Sequence, residues 1–265
     1  MPQQKKCNMR PAISEFSFGY AVTEEIIRQQ RAFMIGAPIF PSLIREGGAG
    51  GGYDLQLNRV GFPIFLQFKL SHRMVKSNSI EIKDHSLLTP PFFRIHLMPL
   101  KLSQQHNMLL ELDNGTNEVY YVAPFFTTQA ELNHHYTNTS VLNNSVFIRP
   151  RLIGALPDDE DHHISLEQHS DPAYLFSKKS KKLGGITDAQ KFMADMSNRL
   201  KQETENVSAK IDRIIKTMLS IINKRIDEKN EIILRQVSNL PPSLGLLTYL
   251  SHYYFDSEVL LALKE

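Results

Sequence analysis

Two short runs early in the chain alternate between apolar and polar residues. Residues 53–57 read Tyr-Asp-Leu-Gln-Leu, and residues 64–70 read Ile-Phe-Leu-Gln-Phe-Lys-Leu, with alternation in the second half. Successive side chains of a strand point to opposite faces, so each run predicts a strand with one apolar and one polar face. Glycine and proline between the runs predict a turn. Pairing as a hairpin would bring Asp54, Gln67 and Lys69 to the same polar face.

Further patterns at helical and strand spacing flank these runs. A stripe of Val22, Ile26 and Phe33 predicts a helix over residues 20–33, and alternation predicts a third strand over residues 92–98. The other predicted elements are a helix over residues 103–112, a strand over residues 118–124 and a short helix from Thr127 or Thr128 to about His135. The predicted order is therefore helix, strands, helix, strand.

The C-terminal part of the chain carries an apolar residue at every seventh position. Residues 187–237 contain neither proline nor glycine, which predicts one helix of about 50 residues, or roughly 75 Å. Its apolar seam needs burial, so the pattern predicts a homo-oligomer or a complex with a partner protein. The alternative is a helix that folds back on its own chain. The seam comprises Met193, Leu200, Val207, Ile211, Ile214, Met218 and Ile221.

The segments around the predicted helix define its ends. Pro241 and Pro242 stop it, and the leucine-rich and aromatic residues 244–263 predict one or two short helices that pack on it or bind a partner. Lysines between residues 178 and 182, followed by Gly184-Gly185, indicate a linker. We therefore predict an N-terminal domain at residues 1–176, a linker at residues 177–186 and a helical oligomerisation or docking region at residues 187–265.

Composition adds a few limits to this picture. The net charge of +2 neither indicates nor excludes nucleic-acid binding, because a local basic patch is enough. Cys7 is the one cysteine of the sequence, so we expect no internal disulfide framework and a reducing, cytoplasmic compartment. No run approaches the ~20 apolar residues of a membrane span, so no membrane segment is predicted.

A carboxylate, an amide oxygen and an ammonium on one surface suit phosphoryl chemistry. Mg²⁺ prefers oxygen ligands, keeps several waters and binds substrate phosphates. It polarises the phosphoryl group and lowers the pKa of a bound water, while a neighbouring lysine stabilises the developing charge. The alternative is an ordinary amphipathic hairpin in which Gln67 and Lys69 are solvated.

The order Asp54, then Gln67-Phe68-Lys69 on the next strand, resembles the motif of the PD-(D/E)XK, or restriction-endonuclease-like, nuclease superfamily. It matches the variant with glutamine in place of the usual acid, and the proline of the motif's name is absent before Asp54. The resemblance covers roughly residues 15–125. It implies Asp54 as a metal ligand, Gln67 as the second ligand position and Lys69 as the catalytic lysine.

The resemblance also implies a fold, a cofactor and a further residue. The family has a mixed α/β fold of the α+β type, with an αβββαβ core that the predicted order of elements matches. In this chain a C-terminal long helix or coiled-coil arm would follow that core. Its first helix can place a glutamate near the metal, so Glu25 is a candidate catalytic and metal-binding residue; the alternative is a solvated surface glutamate. The cofactor would be Mg²⁺ or Mn²⁺.

The expected function is a metal-dependent nuclease that cleaves phosphodiester bonds, with DNA favoured over RNA. Analogy alone suggests the effector subunit of a restriction or anti-phage defence complex. The alternatives are an RNase and a non-catalytic adaptor or assembly subunit whose nuclease-like fold has lost its metal site.

Basic residues on both sides of the motif are candidates for phosphate contacts. Arg45 precedes a glycine tract at residues 47–52, which would form either a loop at the mouth of the site or a plain linker. His72, Arg73 and Lys76 follow the second strand, where they would bind nucleic acid or form a solvated basic loop.

Overall fold

The computed structural model describes residues 9–29, 59–83, 87–177, 179–225 and 237–264. It is a mixed α+β structure whose strands form two sheets, which agrees with the predicted fold class. None of the helices within these ranges is long and apolar enough to cross a membrane.

Helices and strands are interspersed along the described residues. The helices are α1 (Glu15–Gln29), α2 (Ile80–Lys83), α3 (Gln105–Leu112), α4 (Gln129–Thr137), α5 (Pro150–Ile153), α6 (Ala189–Gln202), α7 (Val207–Asn223) and α8 (Leu244–Phe255), with a 3₁₀ turn at Leu142–Asn144. The strands are β1 (Gly61–Phe68), β2 (Ser71–Met74), β3 (Phe92–Leu97), β4 (Glu118–Pro124), β5 (Ser145–Ile148), β6 (His162–Leu166), β7 (Ala173–Phe176), β8 (Lys181–Leu183) and β9 (Glu258–Leu263).

The chain divides into two compact units, each discontinuous in sequence. As far as they are described, the first unit contains residues 1–29, 68–106 and 120–193, and the second contains residues 30–67, 107–119 and 194–265. Boundaries fall inside β1, α3, β4 and α6, and one follows the end of α1. The units thus differ from the consecutive domains that the sequence predicts.

The first unit contains an antiparallel five-stranded sheet with the order β2-β3-β6-β7-β8. Strand β8 lies inside the predicted linker, so the linker prediction is wrong at these residues. The reason is that Leu183 pairs with Ala173 of β7 and is buried, while Lys181 and Lys182 stay exposed.

Several elements that the sequence predicts from local signals are confirmed. The expected strands at residues 92–98 and 118–124 are β3 and β4, and the helix expected from residue 103 is α3. Thr128 caps α4 through a capping box with Glu131. The helix expected over residues 20–33 is confirmed as far as Gln29 by α1, and Phe33 lies outside the described residues. Helix α1 begins after Ser14, whose hydroxyl oxygen accepts the backbone N–H of Ser17 at 3.0 Å.

Helix α1 packs its aromatic face into the first unit. Phe18 is fully buried and meets the rings of Phe68 and Phe126 edge-on, at centroid distances of 5.8 and 5.9 Å. Gly19 permits this approach, because a Cβ atom there would lie 2.6 Å from the Phe68 ring. Ring contacts therefore hold α1 in the first unit, and a larger residue at position 19 would displace the Phe68 ring.

In the second unit β1 pairs antiparallel with β9, from Gly61 opposite Leu263 to Leu66 opposite Glu258. The predicted turn at Gly61 and Pro63 is therefore wrong, because both residues lie in β1. Every residue of β1 is buried, so the predicted solvated polar face is also absent from this strand. The prediction of helix over residues 258–263 is wrong for the same reason, since pairing with β1 makes them a strand.

The single long helix expected over residues 187–237 is wrong, since α6 and α7 are separate helices. Two groups fix the break: the Asn206 side chain accepts the N–H of Ser208 at 2.8 Å, and the carbonyl of Glu205 accepts the N–H of Gly61 at 3.2 Å. Hydrogen bonds to the start of β1 thus outweigh the continuous helical pattern of the sequence. A helix N-cap of this kind typically contributes about 1 kcal/mol.

The apolar seam is buried within the chain itself. Helix α7 packs against α8, and the six seam residues predicted to form an oligomer interface are at most 4% exposed. They are Leu200, Val207, Ile211, Ile214, Met218 and Ile221. Burial inside one chain removes the physical reason to expect a coiled coil between chains through these side chains.

The described strands form two sheets rather than the one core sheet that the resemblance implies. Strands β1 and β3, which the resemblance would place together, lie in different sheets.

Candidate functional site

Gln67 lies one residue before the end of β1 and is 0% exposed. Its Nε2 donates a hydrogen bond to Oδ2 of Asp256 at 3.3 Å. Its Oε1 is buried and has no hydrogen-bond partner among the described residues. A buried polar atom without a partner costs about 1–3 kcal/mol, so such atoms are rare and call for an explanation.

Asp256 is held next to Gln67 by the turn between α8 and β9. It is the C-cap of α8, in the left-handed conformation with φ 48°, and its N–H donates to the Ser251 carbonyl. The Ser251 hydroxyl donates to the Ser257 carbonyl at 2.8 Å, and both serines are buried. Two residues after Asp256, Glu258 pairs with Leu66. Strand register and the serine contact together fix the Asp256 carboxylate beside the amide.

Lys69 belongs to the first unit and follows the last residue of β1. Its backbone N–H donates to the Val122 carbonyl at 2.9 Å, and its half-buried side chain donates from Nζ to Oε1 of Gln105 at 3.4 Å. A neutral amide oxygen holds the ammonium in this bond, so the bond leaves the positive charge uncompensated.

Two of the candidate residues, Asp54 and Arg45, lie outside the described residues. Among the candidate catalytic and metal-binding residues, the structure therefore places Gln67, Lys69 and Glu25. Gln67 belongs to the second unit, whereas Lys69 and Glu25 belong to the first.

Glu25 is only 3% exposed, so it is buried in the first unit rather than solvated. Its Oε2 accepts the backbone N–H groups of Val141 at 2.8 Å and Leu142 at 3.3 Å, and its Oε1 accepts Nε2 of Gln29 at 3.0 Å. Burial raises the pKa of Glu25, while these backbone hydrogen bonds oppose the increase. Oε2 thus anchors the start of the 3₁₀ turn to α1, whereas the contact of Oε1 lies within α1.

The three basic residues after β1 do not act as one cluster. Arg73 binds Glu131 at 2.6 Å and lies 5.4 Å from the centroid of the Phe93 ring. His72, its neighbour on β2, points to the opposite face of the sheet. Lys76 lines a shallow surface depression with Val75 and Asn78.

A polar cluster on the five-stranded sheet was not predicted from the sequence. Glu81 of α2 is buried and accepts hydrogen bonds from both Nη2 and Nε of Arg94, from the Ser165 hydroxyl at 2.8 Å and from Nε2 of His163 at 3.1 Å. Arg94, Ser165 and His163 lie on β3 and β6, which are paired in this sheet. Alternation in β3 predicts that Arg94 and His96 share a face, but the pairing of β6 has no local signal.

Two further histidines, His72 and His96, lie beside this cluster. His72 pairs with Arg94 across β2 and β3, and His96 pairs with His163 across β3 and β6. Burial lowers the pKa of His72 and of His96, and nearby basic residues lower both further, although Asp161 opposes the decrease at His96. Both imidazoles are therefore biased toward the neutral form. The described residues contain no group of three His, Cys, Asp or Glu side chains arranged to hold a metal ion.

Comparisons of the chain with protein-family models, with curated proteins and with solved structures find no match.

Proposed function

We propose that the protein is a metal-dependent nuclease that cleaves phosphodiester bonds, with DNA as the favoured substrate. The observation that carries this proposal is Oε1 of Gln67, which is buried and has no hydrogen-bond partner among the described residues. Gln67 stands two residues before Lys69 in the sequence. An amide oxygen that is shielded from water and has no partner within the described residues fits a position that ligates a hard cation.

The proposed metal ligands are Gln67 Oε1 and the carboxylate of Asp54. Glu25 is left out of this set, because both of its oxygens already accept hydrogen bonds inside the first unit. Mg²⁺ or Mn²⁺ would supply charge stabilisation and a bound water of lowered pKa when present.

Lys69 is the proposed catalytic cation. The ammonium is oriented by the Gln105 amide and is not neutralised by that contact. An oriented positive charge stabilises the negative charge that develops on a phosphoryl group in the transition state. The role needs the charge itself, so a neutral side chain at residue 69 removes it.

The test uses the purified full chain with plasmid DNA, linear duplex DNA, single-stranded DNA and RNA. Each substrate is incubated with Mg²⁺, with Mn²⁺ or with excess chelator. We expect cleavage that needs the divalent ion and is lost in Asp54→Ala. Cleavage that persists in the chelator, or at the wild-type rate in Asp54→Ala, would contradict the proposal.

One feature favours a second function, a non-catalytic adaptor. Glutamine stands at the position where the family motif has its second acid, so the donor set carries less negative charge than usual. This second function predicts that the protein binds nucleic acid or a partner but cleaves no substrate with either ion. A role as the effector of a restriction or anti-phage complex is proposed by analogy only.

A further inference from the structure

The orientation of the Gln67 amide is decided by its neighbour. A glutamine amide has one end that donates and one that accepts, and an ionised carboxylate can only accept. Asp256 Oδ2 lies 3.3 Å from the amide nitrogen, so the NH₂ group must face Asp256. The oxygen then faces away from Asp256, where it is buried and has no acceptor role toward the described residues.

The local structure around Asp256 supports its contact with Gln67. Asp256 occupies a left-handed C-cap position with φ 48°, where an aspartate is less favourable than glycine or asparagine. The residue is exposed, yet its carboxylate binds a side chain that is fully buried. Asp256 comes from the far end of the chain, 189 residues from Gln67.

We propose that Asp256 is a positioning residue, which holds the Gln67 amide so that its oxygen is presented as a ligand for a divalent cation. Sequence motifs around residues 54–69 do not include it, because its contact depends on the pairing of β1 with β9. The inference rests on the proposed metal-dependent function, whereas the hydrogen bond itself does not.

The first arm of the test compares Asp256→Asn with Asp256→Ala in the full chain. Asparagine retains an oxygen that accepts from Gln67 and tolerates the left-handed conformation, whereas alanine lacks the acceptor. By calorimetric titration with Mn²⁺ we expect Asp256→Ala to weaken binding by about 10–100-fold, as loss of a group that orients a ligand typically does. Asp256→Asn should retain the wild-type affinity. Asp195→Ala, at an exposed carboxylate of α6, is the control for loss of one negative charge.

The second arm exchanges donor and acceptor. Gln67→Glu places a second carboxylate next to that of Asp256 and removes the amide donor between them. The unfolding midpoint should therefore fall. In the double variant Gln67→Glu/Asp256→Asn the new amide can donate to the new carboxylate, so the midpoint should recover. A Gln67→Glu variant as stable as the wild type, or a double variant with no recovery, would show that the hydrogen bond does not orient residue 67.

The two arms separate this inference from the function on which it rests. Recovery in the double variant together with weaker Mn²⁺ binding in Asp256→Ala supports the positioning role. If the unfolding midpoint recovers in the double variant but Asp256→Ala binds Mn²⁺ as tightly as the wild type, the positioning role is overturned. The proposed metal site would then still stand. A wild-type protein that binds no Mn²⁺ overturns the proposed metal-dependent function, and the inference falls with it.

Discussion

Two glutamates of the first unit, Glu25 and Glu81, are buried carboxylates that bind several donors each. Glu25 binds backbone N–H groups, and Glu81 binds the side chains of Arg94, Ser165 and His163. A glutamate near a proposed nuclease motif is readily taken for a catalytic group. The contacts of both residues instead explain why the fold needs them.

Replacing Glu25 with alanine should lower stability directly. The change leaves the N–H groups of Val141 and Leu142 buried without their acceptor, which costs about 1–3 kcal/mol. Urea denaturation measures this loss. Glu24→Ala is the matched control, because Glu24 pairs with the exposed Arg28 one turn along α1 and such pairs contribute about 0.5 kcal/mol or less. Wild-type stability with lost cleavage in Glu25→Ala would instead support a metal-binding role.

Acid should weaken the first unit through Glu81. Burial alone would raise the pKa of Glu81, but hydrogen bonds from His163, Arg94 and Ser165 outweigh it and hold the pKa well below its usual value of 4.5. A lowered folded-state pKa gives a stabilisation that is present above pH 4.5 and is lost as the pH falls below it.

Thermal unfolding between about pH 3 and pH 7 checks this prediction. Wild-type protein should lose stability on the acid side, and Glu81→Gln should be less stable at neutral pH but less sensitive to acid. Equal acid sensitivity of the two proteins would assign the effect to other carboxylates.

Among the elements, β1 shows most clearly how non-local pairing overrides a local pattern. Gly61 lies so close to β9 that a Cβ atom would be 2.2 Å from the Ala262 carbonyl oxygen. The neighbour is backbone and cannot move aside without breaking the β1–β9 ladder. The sequence places Gly61 in a turn, but the structure requires glycine there for close approach of two strands.

Gly61→Ala should therefore destabilise the second unit, with a lower unfolding midpoint in denaturant. Gly184→Ala is the matched control, because its Cβ atom would have no atom of the described residues within 4 Å apart from its chain neighbours. A control that is as unstable as Gly61→Ala would show that the loss does not come from the contact with Ala262.

The elements that the sequence predicts well are those with local causes. Alternation identifies β3, the run of valine and tyrosine at residues 118–124 identifies β4, and the capping box at Thr128 marks the start of α4. Strands β6 and β9 were missed because β3 and β1, with which they pair, lie far away in the sequence. The same limit applies to the site: the Gln67 and Lys69 motif is local, whereas Asp256 and Gln105 reach it only through the fold.

Across the whole molecule, the apolar seam of α6 and α7 decides how assembly should be understood. The periodicity of seven residues describes real burial, but the burial lies within one chain. A break of four residues, Glu203 to Asn206, is enough to turn one predicted helix into two.

Ile214→Ala should accordingly reduce folding stability rather than dissociate an oligomer. Ile214 is 2% exposed, and truncation of such a side chain costs about 2–5 kcal/mol. Lys216→Ala, whose side chain is 71% exposed on the same helix, should be neutral. Light scattering and urea denaturation of both variants separate the two effects. A wild-type oligomer that Ile214→Ala dissociates without loss of folding would contradict internal burial.

The central claim, metal-dependent phosphodiester cleavage, is tested most directly at Lys69. The measurement is the cleavage rate of duplex DNA with Mn²⁺ for wild type, Lys69→Met and Lys101→Met, an exposed lysine of the same unit. We expect Lys69→Met to lose at least about 100-fold in rate, as removal of one transition-state contact does, with an unchanged unfolding midpoint. Lys101→Met should cleave at the wild-type rate. Equal rates for Lys69→Met and wild type would contradict the assignment of Lys69, and with it the proposed nuclease.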